Sequence, residues 1–334
     1  MVDIDRPSSR RPSYIIVVGS GYSGSGALFD YLSGRPDVAT AISGNEFRLG
    51  IDPGGLGDLS YALGEGFHPN RASAAIKNFY NLCRQYGRPR SALPPGLGYA
   101  ELIPGYSDIV NAYMHALIDL EYRAMPFVEL AQLSSLRAYL VGLARRFYRR
   151  RNKKPPIGTM KIPVSQEKFH QISETFIDHL LQRGGSDSRS LSVLVNQAGS
   201  FWRPVSSTTW FGKRNIVVVT RDPRDVYADF KRRGYAYPGA DVKQYVAWYK
   251  NVMNRIAMKE WNAKEVLHVQ FEALTSNPDD ECERMVSRLG LDAAVDSSYD
   301  LTQSYENVGR YLNELDDTEV TLIENELGPH LWDA

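Results

Sequence analysis

One stretch constrains this chain more than any other: Tyr14–Leu32, YIIVVGSGYSGSGALFDYL. Five apolar, largely β-branched residues, Tyr14–Val18, make a short run that reads as a buried strand. Four glycines follow within eight positions, Gly19, Gly21, Gly24 and Gly26, interleaved with Ser20, Ser23 and Ser25. Leu28 and Leu32 then fall on one face of a helix. Strand, glycine loop and helix together bring bare N–H groups and a helix N-terminus around an anion. Glycine permits close approach of the backbone, and the serines add hydroxyl donors. A tight turn with no ligand is the alternative, but four glycines exceed what such a turn needs.

The anion can be narrowed. A nucleotide-hydrolysing loop reads G-x-x-x-x-G-K-[ST], with lysine on the phosphates and a hydroxyl on magnesium. Counted from Gly19, the lysine position is Ser25 and the hydroxyl position is Gly26. Both required groups are missing, which disfavours ATP or GTP chemistry and leaves a phosphate cradle.

With 334 residues, 43% of them apolar, the chain can bury a sizeable core as one large α/β domain or two smaller ones. Its 39 basic and 39 acidic residues cancel, so no global field draws nucleic acid. Cys83 and Cys282 read as reduced thiols. The six histidines lack metal-ligand spacing, and no metal is expected. The run after the polar start is too short for a signal sequence or a membrane span, so a cytoplasmic protein is expected.

Further along, Val38–Ile42 reads as a second strand, followed by Gly44-Asn45-Glu46-Phe47-Arg48 and the breaker-rich IDPGGLGDL. A Glu two residues before an Arg after a strand stands where α/β folds place working residues; solvated loop charges are the bland alternative. Ala75–Tyr86, Tyr106–Arg123 and Phe127–Arg151 read as helices of an insertion spanning about 71–156. The third ends with seven cations between Arg145 and Lys154. These are either a solvated helix end or a dock for an anionic substrate or a membrane surface. Lys161 lies in a Lys-Ile-Pro segment after a strand-like stretch, and Ser165–Gln182 is an amphipathic helix closed by Gly184-Gly185. Leu191–Val195 is a strand ending in the polar Asn196-Gln197. Arg214–Thr220 is a buried parallel-type strand leading into Arg221-Asp222-Pro223-Arg224-Asp225, where Asp222 can cap a helix opened by Pro223. Arg221 is thus held at a strand–helix junction; pairing with a neighbouring Asp is its structural alternative. Gly239–Trp261 reads as a long helix, Val266–Phe271 as a strand, and helices follow at Asn277–Leu289 and from Asp316.

Two anion sites at two strand ends are what a nucleotide phosphorylated at both 5′ and 3′ positions requires. Here the chain resembles the sulfotransferase family that uses 3′-phosphoadenosine-5′-phosphosulfate (PAPS). Tyr22-Ser23-Gly24-Ser25-Gly26-Ala27-Leu28 is similar to that family's 5′-phosphosulfate loop, and NIVVVTRDPRDVYADF (Asn215–Phe230) to its 3′-phosphate motif. FEALTSNPDDECERMVSRLGL and the Gly309-Arg310-Tyr311 tail resemble its C-terminal region. The resemblance implies a three-layer α/β/α fold with a central, mainly parallel sheet, P-loop NTPase-like, in one domain over 13–330 with 1–12 flexible. It further implies transfer of a sulfonate from PAPS to a hydroxyl of a carbohydrate, glycoconjugate or small molecule, with no metal. Gly21, Tyr22, Ser23, Gly24, Ser25, Gly26 and Ala27 would hold the 5′ end, Arg221 the 3′-phosphate, and Arg310 that phosphate or the adenine. Glu46 would be the general base, and Lys161 would line the active site.

Two departures from the family's pattern stand out. Tyr22 replaces the usual Lys or Arg of the loop, leaving Lys161 or Arg48 to supply that charge. Asp229 replaces a Ser eight residues after Arg221 and would repel phosphate unless it turns away or pairs with a cation. A small-molecule kinase and a catalytically weak nucleotide-binding module are the rival readings. His170 or His115 would be the next base to try.

Overall fold

A computed structural model describes residues 12–124, 134–150, 158–183, 192–233 and 237–332. In chain order the principal elements begin with β1 (Ser13–Gly19), α1 (Ser25–Ser33), β2 (Val38–Thr40), α2 (Leu56–Leu63), α3 (Pro69–Gly87) and α4 (Tyr106–Ala116). There follow β3 (Ile118–Ala124), α5 (Ser135–Arg150), β4 (Gly158–Pro163), α6 (Gln166–Arg183), β5 (Ser192–Asn196) and β6 (Arg214–Thr220). The last are α7 (Pro223–Arg233), α8 (Val242–Met253), β7 (Val266–Gln270), α9 (Phe271–Ser276), α10 (Pro278–Leu289) and α11 (Asp317–Leu327). They divide into two compact units, one built from Arg10–Arg48 with Gly184–Ala334, the other from Leu49–Arg183.

The first unit holds a five-stranded parallel sheet in the order β2-β5-β1-β6-β7. Parallel strands covered on both faces need near-continuous apolar sequence. Ile15 and Val17 point to one face and Ile16 and Val18 to the other, all four at most 1% exposed. The first face packs Ile15, Val17, Val217 and Val219 against Leu28 and Leu32 of α1 and Met285 of α10. Helices lie on both sides of the sheet. This is the three-layer, mainly parallel α/β architecture expected from the sequence.

The second unit is mostly helical. Phe79 of α3, Tyr113 of α4 and Phe176 of α6 meet in its core, with the Tyr113 and Phe176 rings stacked at 4.2 Å. The segment read as a helical insertion lies within this unit. Its second helix is shorter than expected: α4 stops at Ala116, and Ile118–Ala124 is a strand paired antiparallel with β4. The cause is visible in IDLEYRA, where apolar and charged residues alternate with the period of a strand. The long helix expected over Gly239–Trp261 is also divided. Helix α8 ends at Met253, and a separate turn covers Met258–Trp261. Residues 1–11, 125–133 and 151–157 lie outside the described residues, and with them the expected flexible start and part of the cationic run.

Candidate active site

The glycine loop follows β1, the central strand of the sheet. Ser23 N–H bonds to the Ser20 carbonyl at 3.1 Å, which closes a turn. Tyr22 and Gly24 both take positive φ, 58° and 82°. For tyrosine this is a sparsely populated conformation, held here by its surroundings. Gly24 caps α1, whose first N–H groups, including those of Ser25 and Gly26, have no acceptor within the helix. The Ser23 hydroxyl is 1% exposed, and its oxygen has no hydrogen-bond partner. A buried hydroxyl without a partner is costly. A Cβ at Gly26 would meet nothing within 4 Å, so the opening of α1 is clear on that side.

A residue far along the chain holds the loop in shape. Gln197, just past β5 and at φ 51°, accepts from the Gly19 N–H at 3.3 Å and donates to the Ser25 hydroxyl at 3.0 Å. The polar pair at that strand end was legible in the sequence; its attachment to the loop was not.

The second expected anion site is joined to the first through Tyr22. Arg221 is 6% exposed and donates to the Tyr22 carbonyl at 3.1 Å and to the Asn307 carbonyl at 2.6 Å. It also pairs with Asp229 at 2.7 Å and stands 3.9 Å from Asp225. Its Nε is buried and unpartnered. Asp229 answers the question its sequence position raised. Arg221, Arg232 at 2.9 Å and Arg310 at 3.0 Å all converge on its carboxylate. Burial pushes its pKa up, but Arg221 and then Arg310 outweigh burial and hold it below the ordinary value. Asp222 caps α7 through the Arg224 N–H at 2.7 Å, as its place before Pro223 predicts. Asp225 instead reaches the tail, accepting from the N–H groups of Gly309 and Tyr311 at 2.9 and 3.0 Å. Burial pushes its pKa up.

Glu46 arrives by an unusual path. Ile42, Ser43 and Gly44 are consecutive residues at positive φ, 41°, 51° and 77°. This tight reversal, strained for the β-branched Ile42, turns the chain so that Glu46 bridges Asn196 at the end of β5. Glu46 and Arg48 share a face and pair at 3.0 Å, about half exposed. Tyr237 was missed by sequence reasoning. A Cβ on Gly21 would fall 2.3 Å from the Tyr237 ring, so that ring lies directly against the loop. Burial, then Tyr22 and Glu46, raises the phenol's pKa. The Tyr22 ring turns toward α7, 5.6 Å from Phe230, with the Arg233 guanidinium 5.2 Å above it. Arg233 is thus a cation beside the loop that neither motif announced. Lys161 belongs to the other unit, on β4, where its N–H bonds to the Ser73 hydroxyl at 3.2 Å.

A parallel α/β protein with a glycine-rich loop and helix N-terminus after its central strand and a caged arginine after the neighbouring one is the class these features define. No family model matches the sequence, and no curated protein does. Among solved structures, the chain is similar to the sulfotransferase STF1 from Mycobacterium tuberculosis H37Rv, with 12% identity and a TM-score of 0.38 over 96% of this chain and 77% of that one. It is similar to the sulfotransferase domain from the curacin biosynthetic pathway, with 13% identity and a TM-score of 0.43 over 96% and 99% of the two chains. It is also similar to the sulfotransferase domain of the Synechococcus PCC 7002 olefin synthase, with 14% identity and a TM-score of 0.39 over 95% and 82%. These likenesses are distant, and none of the residue roles rests on them.

Proposed function

We propose that the chain is a sulfotransferase that moves a sulfonate from PAPS to a hydroxyl of a carbohydrate, glycoconjugate or small-molecule acceptor. One observation carries the reading. A helix N-terminus, a left-handed Gly24 and a buried, unpartnered Ser23 hydroxyl meet in one loop. That loop lacks the lysine and the metal-binding hydroxyl of a nucleotide hydrolase. The donor, when bound, supplies a sulfonate with a nucleotide phosphate as its leaving group. The N–H groups of Ser25 and Gly26 and the Ser23 hydroxyl would hold its 5′ end, offering donors to the charge that develops there. Glu46 would take the proton of the acceptor hydroxyl, with Arg48 orienting its carboxylate. Arg221 and Arg310 would face the 3′-phosphate only by sharing or releasing Asp229.

The Asp229 arrangement favours a second reading, a module that binds the nucleotide and transfers little. Calorimetry with adenosine 3′,5′-bisphosphate and with ATP, each with and without magnesium, separates these readings from a kinase. Metal-independent bisphosphate binding is expected, and metal-dependent ATP binding would overturn the proposal. Glu46→Gln should then lower turnover by about 10²–10⁴ while leaving the bisphosphate affinity unchanged. Near-full turnover, or a parallel loss of affinity, would remove Glu46 as the base. Binding with no transfer to any hydroxyl acceptor would leave the second reading.

A further inference from the structure

Exposed apolar surface is concentrated on a single helix. Fifteen large apolar side chains are exposed among the described residues, and five of them stand on α5. They are Leu136 at 69%, Tyr139 at 64%, Leu140 at 55%, Leu143 at 43% and Phe147 at 51%. At 3.6 residues per turn these positions fall within an arc of roughly 100°, the width of stripe that a helix ordinarily turns toward a core. In α5 the stripe is the exposed side. The charge on the same segment is one-sided. The chain as a whole is balanced, yet residues 135–154 contain no Asp or Glu and carry seven cations between Arg145 and Lys154.

We infer that α5 is a membrane-surface helix, which lies in the interface of a bilayer containing anionic lipid. Its leucine stripe enters the acyl boundary and its cationic end meets the headgroups. The charge argues for this occupant over a second copy of the chain, because an α5–α5 contact brings two cationic segments together. The apolar stripe argues against a soluble polyanion, which would leave it wet. The helix lies on the surface and does not cross it: among the described residues no helix is long and apolar enough to span a membrane. The inference is independent of the reaction proposed above.

The test uses the full chain in flotation with vesicles of phosphatidylcholine alone and of phosphatidylcholine mixed with phosphatidylglycerol. Binding to the mixed vesicles should be about tenfold or more tighter and should weaken as salt is raised. The double variant Leu140→Ser/Leu143→Ser should lose about tenfold or more of this binding. Its unfolding midpoint should match that of the unsubstituted chain, because both side chains are exposed. The salt series on the unsubstituted chain needs no variant at all. Equal binding to both vesicle types would overturn the inference. So would self-association abolished by the double variant in a chain that ignores vesicles, or binding to heparin in solution without binding to vesicles.

Discussion

Asp229 stands where the resembling family carries a serine, and three guanidinium groups surround it. The sequence announced half of this. Arg221 lies two residues before α7 and Arg232 on it, both near Asp229 in sequence, but Arg310 comes from 81 residues away and is invisible to local spacing. The carboxylate is a structural counter-charge, with a consequence for stability. Asp229→Asn removes the shorter of two ion pairs of the buried Arg221 and leaves it Asp225, 3.9 Å away. The loss should be about 2–4 kcal/mol at neutral pH, less than for a fully enclosed pair because Arg232 and Arg310 reach solvent. The pH dependence has a definite sign. The folded pKa is lowered, so the stabilisation is complete above the unfolded carboxylate value of about 3.9 and is lost as the pH falls toward the folded value. Urea unfolding along a descending pH series should show the two proteins converging below about pH 4. A gap that stays constant through that range would mean that Asp229 is not the titrating group.

At the level of elements, the strand, the loop and the helix that opens on it were legible because each is set by adjacent residues. What shapes the loop was not. The Gln197 clamp arrives from another strand, and the reversal at Ile42–Gly44 depends on φ values that no composition rule requires of isoleucine. Strand β3 was misread as helix although its alternation was present, because the three-and-four apolar spacing of α4 leads straight into it. The two loop glycines that matter most should behave differently. Gly24 has φ 82°, and a Cβ there would lie 2.2 Å from the buried Phe271 ring. Gly24→Val should therefore destabilise the fold, by more than the roughly 1–2 kcal/mol of a left-handed side chain alone. At Gly26 a Cβ meets nothing, so Gly26→Val should keep the melting temperature within a few degrees, ~2–4 °C, while abolishing bisphosphate binding. Unchanged calorimetric affinity in that folded variant would discard the loop as an anion cradle.

For the molecule as a whole, the sequence carried boundary signals whose meaning lay in the three-dimensional division. The breaker-rich run after Arg48 and the paired glycines at Gly184 fall at the two ends of the unit Leu49–Arg183. Turn chemistry marks where elements stop, but it does not say which separated segments share a core. The sheet unit is assembled from two such segments, with β1 from the first between β5 and β6 from the second. Native-state hydrogen exchange should follow this order. Amides of Ile15–Val18 and Ile216–Val219, all 0–1% exposed, should exchange only with global opening of their unit. Amides of β3, whose residues are mostly exposed, should exchange at lower denaturant. Peptides of β3 that outlast those of β1 in mass spectrometry would contradict this order.

Tyr237 touches Gly21 on one side, and on the other its ring centroid is 5.8 Å from Trp248. An indole's emission depends on the polarity and packing around it. A ligand entering beside Gly21 should shift the Tyr237 ring and so change the surroundings of Trp248. Occupancy of the loop is therefore expected to be readable by tryptophan fluorescence with no label added to the protein, and an emission unchanged at saturating bisphosphate would contradict it.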